Sequence, residues 1–291
     1  MNIGIAGTGR MGNAIAMRLL SLGHQVTVWN RTFSKVQVAL DAGASLASTP
    51  AQLASRVDVI ITILTNAEAI EAVYYDRDGL LAADVTGKLF LEMSTVRPET
   101  ERALAKRVME KHAQLVECPV GGTVTPAREG KLFSLVGADS QSLARAMPLL
   151  EQMCRRIEHV GPVGAGSAMK LAINLPLIVF WQAFGEAVSL TKQLGIEPAR
   201  LVEIFADTAG AAAVLKSRSA AVIKALVGED TGPAAFDMDA MRKDLRTMLE
   251  EGDELGVQLP AASAVLESFN RFSADGQGGI DGVRIPAWVS R

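Results

Sequence analysis

Three glycines near the N-terminus have the spacing of a phosphate-binding turn. The segment Gly7-Thr8-Gly9-Arg10-Met11-Gly12 fits the pattern G-x-G-x-x-G, and it joins a predicted strand, Asn2–Ala6, to a predicted helix, Met11–Leu22. Glycines at these positions permit a tight turn and let the backbone approach a pyrophosphate at the N-terminus of the helix. Ordinary turns also contain this spacing, but the strand-turn-helix setting favours a dinucleotide site. Its predicted cofactor-binding residues are Gly7, Gly9, Arg10, Met11 and Gly12.

The end of the second predicted strand, Gln25–Asn30, indicates which dinucleotide binds. A ribose-binding acid is expected about 20 residues beyond the glycines, but the sequence there is Trp29-Asn30-Arg31-Thr32. No carboxylate is present to hold a free 2′-hydroxyl, whereas Arg31 can pair with a 2′-phosphate. The alternative is that Arg31 is a solvated loop residue. The pattern favours NADP(H) over NAD(H), with Asn30, Arg31 and Thr32 as cofactor-binding residues.

Lys170 is the only charged side chain between Val160 and Gly185. Lysines are almost never fully buried unless they are paired, so its ammonium group must reach a cleft, a partner or the surface. Asn174 lies four residues further, on the same face of a predicted helix, where its amide can meet the ammonium group. Spacing alone does not separate this role from that of a lysine whose stem runs along the helix to solvent.

Short strands and helices alternate over the first 160 residues. Most of the strands are continuous runs of Val, Ile and Leu, as expected for parallel strands that are covered on both faces. The predicted strands are Asn2–Ala6, Gln25–Asn30, Asp58–Leu64, Lys88–Met93, Gln114–Cys118 and Phe133–Gly137, and the predicted helices are Met11–Leu22, Phe33–Asp41, Ala67–Tyr75 and Pro98–Lys111. This alternation predicts an α/β fold with a doubly wound parallel sheet of the Rossmann type.

The character of the chain changes near residue 162, so we predict a cofactor-binding domain over 1–162 and an all-helical domain over 163–291. A long apolar helix is predicted to run to about Leu194, with a kink at Pro176 and with Trp181 in the core or, alternatively, in the wall of a substrate pocket. Further helices are predicted over Pro198–Thr208, Leu215–Leu226, Met238–Leu255 and Pro260–Arg271, and the Gly-rich tail from Ala274 is predicted to be loose. The long helix is too apolar for one small domain to cover, which predicts a homodimer or homotetramer.

Composition excludes several classes of protein. With 29 basic and 32 acidic residues and only 5% aromatic residues, the chain lacks the basic excess and the stacking platforms of nucleic-acid-binding proteins. Two cysteines and three scattered histidines show no metal-ligand spacing, so no metal is predicted. The N-terminus does not resemble a signal peptide, and the longest apolar stretch, Leu171 to Phe184, is too short to span a bilayer. A cytoplasmic protein is expected.

Four motifs resemble those of one family. Gly164-Ala165-Gly166-Ser167-Ala168-Met169-Lys170-Leu171-Ala172-Ile173-Asn174 is similar to G-x-G-x-x-x-K-x-x-x-N, the signature of the β-hydroxyacid dehydrogenases, which include 3-hydroxyisobutyrate dehydrogenase and glyoxylate/succinic semialdehyde reductase. The N-terminal glycine turn resembles the family's cofactor loop. Ser94-Thr95-Val96-Arg97-Pro98 resembles its S-T-x-x-P segment, and Phe236 with Lys243-Asp244-Leu245 resembles its K-D-L motif. The matches extend from residue 4 to residue 245, which is nearly the whole chain.

The resemblance implies a role for each matched residue. Lys170 would be the catalytic lysine, and Asn174 its hydrogen-bonding neighbour at the substrate. Leu64, Thr65 and Thr95 would lie along the cofactor, and Lys243 would close over it. In the alternative interpretation, Lys243 is an ordinary surface charge and Ser94-Thr95 is only an N-cap region.

One loop departs from the family pattern. The family's substrate loop usually reads D-A-P-V-S-G-G, whereas this chain has Glu117-Cys118-Pro119-Val120-Gly121-Gly122-Thr123. Gly121 replaces the serine whose hydroxyl helps to hold a substrate carboxylate, and Thr123 replaces the second glycine. The backbone N–H groups of Gly121, Gly122 and Thr123 can still bind an anion, and Thr123 supplies a hydroxyl. These three residues and Asn174 are the predicted substrate-binding residues.

The resemblance implies an NADPH-dependent reductase, or the reverse dehydrogenase, that acts on a small aldehyde, keto acid or hydroxy acid in an interdomain cleft. Lys170 would donate the proton to the developing alkoxide, and Asn174 would orient both the lysine and the substrate. The nearest alternative is an imine reductase, although enzymes of that related group typically lack a lysine at this position. A non-catalytic NADPH-binding regulator is the alternative from another class.

Overall fold

The computed structural model describes all 291 residues. Their contacts divide the chain into two compact units, 1–170 and 171–291. The division falls inside the long apolar helix, and the domain boundary expected near residue 162 stays a prediction.

The first unit contains one sheet of nine strands. They are β1 (Asn2–Ala6), β2 (Gln25–Trp29), β3 (Ser45–Leu46), β4 (Val59–Thr62), β5 (Leu89–Glu92), β6 (Gln114–Glu117), β7 (Val120–Gly121), β8 (Leu132–Gly137) and β9 (Cys154–Gly161). The order is β3-β2-β1-β4-β5-β6-β8-β7, with β9 paired to β8. The six strands from β3 to β6 are all parallel, and β8 runs antiparallel to β6 and β7. The predicted doubly wound parallel sheet of the Rossmann type is confirmed, and the antiparallel pairings of β8 are an addition to it.

Helices cover both faces of this sheet. They are α1 (Arg10–Ser21), α2 (Gln37–Asp41), α3 (Pro50–Arg56), α4 (Ala67–Tyr75), α5 (Pro98–Glu110), α6 (Val124–Arg128) and α7 (Ser140–Met153). Successive strand residues point to opposite faces, so Ile3 and Ile5 pack in one apolar cluster and Ala6 packs in another. Parallel strands therefore place the loops that follow β1, β2, β4, β5 and β6 at one edge of the sheet.

The second unit is helical, as predicted. Its helices are the greater part of α8 (Ala165–Leu190), then α9 (Pro198–Ala206), α10 (Ala213–Leu226), α11 (Met238–Glu254), α12 (Pro260–Phe272) and α13 (Ile285–Val289). Trp181 is 3% exposed and belongs to the apolar core of this unit, together with Phe184 and Phe269. The core interpretation of Trp181 is therefore the one that the structure supports.

The C-terminal tail is ordered, so the prediction of a loose segment from Ala274 was wrong. A short turn of π-helix, Ser273–Gln277, and a 3₁₀ turn, Gly282–Arg284, lead into α13. The carboxylate of Asp281 is buried and accepts hydrogen bonds from Ala235 N, Val283 N and the Arg218 guanidinium. These contacts hold the tail against the unit in spite of its glycines.

Helix α8 is longer than the apolar stretch that the sequence suggested. It has 26 residues and a mean hydropathy of 1.5 over its most apolar window, 39% of which is buried, so by length and composition alone it passes the test for a membrane span. Length alone therefore does not exclude a membrane span. A core helix of a soluble protein passes the same test, and Leu171, Ile178 and Val188 of α8 are buried in the core of the second unit. Pro176 lies inside α8, which continues on both sides of it.

Candidate active site

The glycine turn after β1 has the geometry of a ligand cradle. Gly7 has a φ of 101°, and a Cβ atom there would lie 2.5 Å from the Ile63 carbonyl oxygen. A Cβ atom at Gly12 would collide with the Gly7 carbonyl oxygen, so this glycine lets α1 pack tightly on the turn. A Cβ atom at Gly9 would point into open space. The hydroxyl of Thr8 is buried without a hydrogen-bond partner. An accessible backbone and an unsatisfied hydroxyl fit a dinucleotide phosphate at this turn.

A cavity of about 630 Å³ lies beside this turn. Seven of the predicted cofactor-binding residues line it: Gly7, Gly9, Asn30, Arg31, Thr32, Leu64 and Thr65. Asn30 connects two of its walls, since its side chain accepts a hydrogen bond from Thr8 N and donates one to the Thr32 carbonyl. Lys35 also lines the cavity and adds a second cation beside Arg31.

The loops that follow β4 and β5 are connected by hydrogen bonds. The Ser94 hydroxyl accepts a hydrogen bond of 2.8 Å from Leu64 N, and Ser94 N donates one of 2.7 Å to a carboxylate oxygen of Glu92. Glu92 is fully buried and also accepts hydrogen bonds from Thr62 and Tyr74, and burial raises the pKa of its carboxyl group. This network fixes the segment that carries Leu64, while Thr95 follows Ser94 directly.

The loop after β6 carries the predicted substrate residues. Gly121 ends β7, Gly122 has a φ of 126°, and Thr123 precedes α6. A Cβ atom at Gly121 would lie 3.7 Å from the Phe133 ring, which is an ordinary contact, so a larger residue has room there. A Cβ atom at Gly122 would lie 2.9 Å from Leu132 Cδ2. Gly122 is therefore required by the backbone, whereas Gly121 is not.

The residue at the end of β6 binds the start of α8. A carboxylate oxygen of Glu117 accepts hydrogen bonds from Gly164 N at 2.6 Å and Gly166 N at 3.3 Å, and the other accepts one from Ser167 N at 2.5 Å. Burial raises the pKa of the Glu117 carboxyl group, and the three backbone N–H groups oppose that rise. Lys170 follows one turn later, with 9% of its surface exposed.

Asn174 and Lys243 both belong to the second unit, where they share a partner. The Asn174 side-chain nitrogen donates a hydrogen bond of 2.9 Å to one carboxylate oxygen of Asp244, and the Lys243 ammonium lies 2.5 Å from the other. Asn174 and Asp244 are 5% and 3% exposed. A buried carboxylate therefore orients the amide of Asn174 and neutralises Lys243.

The remaining predicted residues have definite places as well. Arg10, Met11 and Gly12 form the first turn of α1, and they lie outside the lining of the cavity, as Thr95 does. The roles assigned to the site residues stay predictions. Sequence reasoning assigned no role to three residues that the structure connects to the site, namely Lys35, Asp244 and Glu117. Lys35 had a recognisable signal, namely a second cation four residues after Arg31.

Comparison with known proteins agrees with this architecture. Residues 2–161 match the NAD-binding domain of 6-phosphogluconate dehydrogenase, and residues 164–287 match the NAD-binding domain of NADP-dependent 3-hydroxyisobutyrate dehydrogenase. Glyoxylate/succinic semialdehyde reductase 1 of Arabidopsis thaliana is 32% identical over 281 residues, which cover 97% of this chain and 96% of that protein.

Solved structures give the same result. The 3-hydroxyisobutyrate dehydrogenase of Mycobacterium tuberculosis, crystallised with L-serine, superposes with a TM-score of 0.85 at 26% identity and covers 100% of this chain and 99% of its own. Psf3 in complex with NADP⁺ and 2-OPP has a TM-score of 0.87 at 25% identity, with 99% and 100% coverage. An imine reductase from Pseudomonas sp. shares the fold alone, with a TM-score of 0.65 at 20% identity over 98% and 97% of the two chains.

The family models together cover nearly the entire chain, and the similar relative is a reductase that matches from end to end. As its motifs predicted, the chain belongs to the β-hydroxyacid dehydrogenase family and is an NAD(P)-dependent oxidoreductase that acts on CH–OH groups.

Proposed function

We propose that the protein is an NADPH-dependent reductase of a small aldehyde or keto acid, or the dehydrogenase of the corresponding hydroxy acid. The observation that carries this proposal is Lys170. It is the only charged residue on α8 before Glu186, it is 9% exposed, and it stands at the lysine position of the family signature. Burial of an ammonium group on an apolar helix is unfavourable, so the presence of Lys170 at this position indicates a functional role.

Lys170, Asn174 and Asp244 each have a role in the proposed reduction of the carbonyl group. Bound NADPH would supply the hydride for the carbonyl carbon. The Lys170 ammonium group donates a proton to the carbonyl oxygen as negative charge develops on it. Asn174 lies one turn further along α8, and its amide orients the lysine and the substrate. Asp244 holds that amide in one orientation through their 2.9 Å hydrogen bond.

The preference for NADPH over NADH rests on charge. Arg31 and Lys35 both line the cavity where the sequence lacks a ribose-binding acid, and Thr32 adds a hydroxyl. Two cations and a hydroxyl suit a 2′-phosphate, whereas a free 2′-hydroxyl is best held by a carboxylate. The NADP⁺ complex of the structural neighbour Psf3 supports this assignment.

The relatives support a short substrate with a carboxylate or a comparable polar group. One relative is a reductase of glyoxylate and succinic semialdehyde, and a structural neighbour was crystallised with L-serine. The backbone N–H groups of Gly121, Gly122 and Thr123 and the Thr123 hydroxyl are the groups that would hold such an anion. The missing serine hydroxyl at position 121 leaves more space than the family pattern provides.

Lys170 is also the residue that tests the proposal. A positioned proton donor contributes about 10²–10⁴-fold to the rate, so Lys170→Ala should lower kcat by at least that order while the Kd of NADPH changes little. Lys170→Arg should restore little, because a guanidinium group keeps its proton. Lys111→Ala, which changes an exposed lysine in the same unit, is the matched control.

The assay is turnover with NADPH across aldehydes, keto acids and cyclic imines, beside a fluorescence titration of the cofactor. Preference for cyclic imines would favour the imine reductase alternative. NADPH binding without turnover of any substrate would favour the regulator. A Lys170→Ala enzyme with near-normal turnover would refute the assigned mechanism.

We also infer a homodimer or homotetramer. One face of α8 is apolar and partly exposed, with Met169 at 41%, Ile173 at 39% and Leu190 at 87% exposure. Pro176, Phe180, Ala183 and Ala187 lie on the same face at helical spacing. A second copy that covers this stripe would remove it from water. Sedimentation velocity should show an oligomer that Leu190→Glu weakens, and a strictly monomeric wild-type protein would contradict the inference.

A further inference from the structure

We propose that Glu117 is a positioning residue for the reaction, because its carboxylate fixes the first turn of α8 and thereby the place of Lys170. This inference rests on the proposed function, since it needs Lys170 to be the proton donor. Glu117 is fully buried, and its carboxylate would act on Lys170 through the backbone of α8.

The contacts of Glu117 close the N-terminus of α8. The first N–H groups of a helix have no partner within the helix, and here Gly166 N and Ser167 N both donate to the Glu117 carboxylate. Gly164 N, just before the helix, donates as well. A negative charge at this end also interacts favourably with the positive end of the helix dipole. Three hydrogen bonds to one charged group fix both the position and the direction of the first turn.

The Glu117 carboxylate explains why three glycines lie around it. A Cβ atom at Gly137 would collide with a Glu117 carboxylate oxygen. A Cβ atom at Gly166 would lie 2.7 Å from the Leu135 carbonyl oxygen and 3.1 Å from Glu117 Cδ. Gly164 has a φ of 99°, which few other residues adopt readily. The two signature glycines therefore make space and supply N–H groups for a side chain of the chain itself.

Glu117 also connects the predicted substrate-binding loop to the predicted proton donor. It ends β6, and Gly121, Gly122 and Thr123 follow it within six residues. On the other side it holds Ser167, and Lys170 lies three residues along the same helix. One buried carboxylate thus ties the proposed anion-binding loop to the proposed proton donor, so a change in its length or charge should alter their spacing.

The three hydrogen bonds from backbone N–H groups make the Glu117 carboxylate difficult to replace. Gln at position 117 would present an NH₂ group to backbone N–H donors, so at least one of the three hydrogen bonds would be lost. Asp, the residue usual in the family, would leave the carboxylate one methylene shorter.

The experiment compares Glu117→Gln and Glu117→Asp with the wild type, and repeats Glu117→Gln in a Lys170→Ala background. Asp139→Asn is the matched control, because Asp139 caps the N-terminus of α7, which carries no predicted site residue. The readouts are kcat, KM, the Kd of NADPH by fluorescence, and the melting temperature.

Misplacement of a reacting group by about 1 Å can cost about 100-fold in rate, so we expect Glu117→Gln to lower kcat by about 10–100-fold with little change in the Kd of NADPH. Glu117→Asp should lower kcat by a smaller factor. Asp139→Asn should lower the melting temperature and leave kcat unchanged. In the Lys170→Ala background, Glu117→Gln should reduce turnover hardly further, because two residues that act as a unit are not additive.

Three results would overturn the inference. They are a folded Glu117→Gln enzyme with wild-type kcat, a full additional loss in the Lys170→Ala background, and, should Glu117→Gln not fold, wild-type kcat in Glu117→Asp. Failure of the proposed function has a different signature, since Lys170→Ala alone would then keep its turnover. Loss of turnover in Lys170→Ala with normal turnover in Glu117→Gln would reject only the role of Glu117.

Discussion

Glu101 is a carboxyl group that the folded protein does not accommodate well. It lies in the first turns of α5, it is fully buried, and neither of its carboxylate oxygens has a hydrogen-bond partner in the chain. Burial raises the pKa of Glu101 well above its ordinary value, and the neighbouring Glu92 and Glu117 raise it further. Replacement of Glu101 by Met, which has a similar length and no polar group, should stabilise the protein.

The size of the effect follows from the cost of desolvation. A buried polar group without a partner costs about 1–3 kcal/mol. The N-terminus of α5 favours a negative charge by only about 0.3–1 kcal/mol, so desolvation wins. Glu101→Met should therefore raise the free energy of unfolding at pH 7 by about 1–3 kcal/mol. At about 2–4 °C per kcal/mol for chains of this size, the rise in melting temperature is easily measured.

The sign of the pH dependence follows from the raised pKa. The contribution of Glu101 to stability is complete below the pKa of about 4.5 that the group has in the unfolded chain, and it is lost as the pH rises towards the higher pKa in the folded protein. The advantage of Glu101→Met should therefore be smallest at pH 4.5, where only the cost of the unpaired neutral carboxyl group is removed, and increase towards pH 8 with a limiting slope of about 1.4 kcal/mol per pH unit.

Urea unfolding followed by circular dichroism at several pH values measures this effect. Glu99→Met is the matched control, because Glu99 lies in the same helix, is 66% exposed and forms only a surface ion pair with Arg102. The control should change stability by no more than about 0.5 kcal/mol. A Glu101→Met protein that is less stable than the wild type, or whose advantage is the same at every pH, would refute this reasoning.

Three further predictions concern the site. Arg31→Ala should remove a charge-assisted contact of about 1.5–3 kcal/mol, so the Kd of NADPH should rise roughly tenfold or more while that of NADH hardly changes; equal losses would contradict the assignment. Gly121→Ser should fit beside Phe133, 3.7 Å from the new Cβ atom, and raise kcat/KM for short acids such as glyoxylate or succinic semialdehyde, so an unchanged kcat/KM for every acid would remove the carboxylate from this loop. Gly9→Ala should weaken NADPH binding and leave the melting temperature unchanged. Gly12→Ala should lower both the affinity for NADPH and the melting temperature, because its methyl group would collide with the Gly7 carbonyl oxygen. Equal melting temperatures for the two variants would contradict this packing argument.

The sequence predicts those elements whose residues carry a clear period. The apolar strands at the centre of the sheet are recognisable because both of their faces are covered, and Ala67–Tyr75 was predicted with the bounds that α4 has. Strand β9 (Cys154–Gly161) was missed because Arg155, Arg156 and Glu158 interrupt any apolar run. Helix α3 was missed although it carries a signal, since Thr49 caps it and Pro50 begins it. The ordered C-terminal tail depends on the distant partners of Asp281, which no local pattern contains.

Some residues of the candidate site can likewise be predicted from local sequence, and others cannot. Lys170 and the glycine turn are local motifs, so the sequence alone brings attention to them. The partner of Asn174 lies 70 residues further along the chain, at Asp244, and the partners of Glu117 lie about 50 residues away, at Gly164 to Ser167. Such pairs are made by the fold, and a single sequence does not specify them.

Two glycine-rich segments of this chain look alike in sequence and serve different purposes. At Gly9 a Cβ atom would enter open space, which is what a turn built for an external ligand requires. At Gly164 and Gly166 a Cβ atom would instead meet Arg102 Nη1 at 2.7 Å and the Leu135 carbonyl oxygen at 2.7 Å, because the space beside them is filled by the Glu117 carboxylate and its neighbours. The space beside the glycine is therefore open at Gly9 and filled at Gly164 and Gly166. The glycines of the lysine signature thus make room for the contacts of Glu117 at the start of α8, whereas Gly9 leaves part of the first glycine turn open.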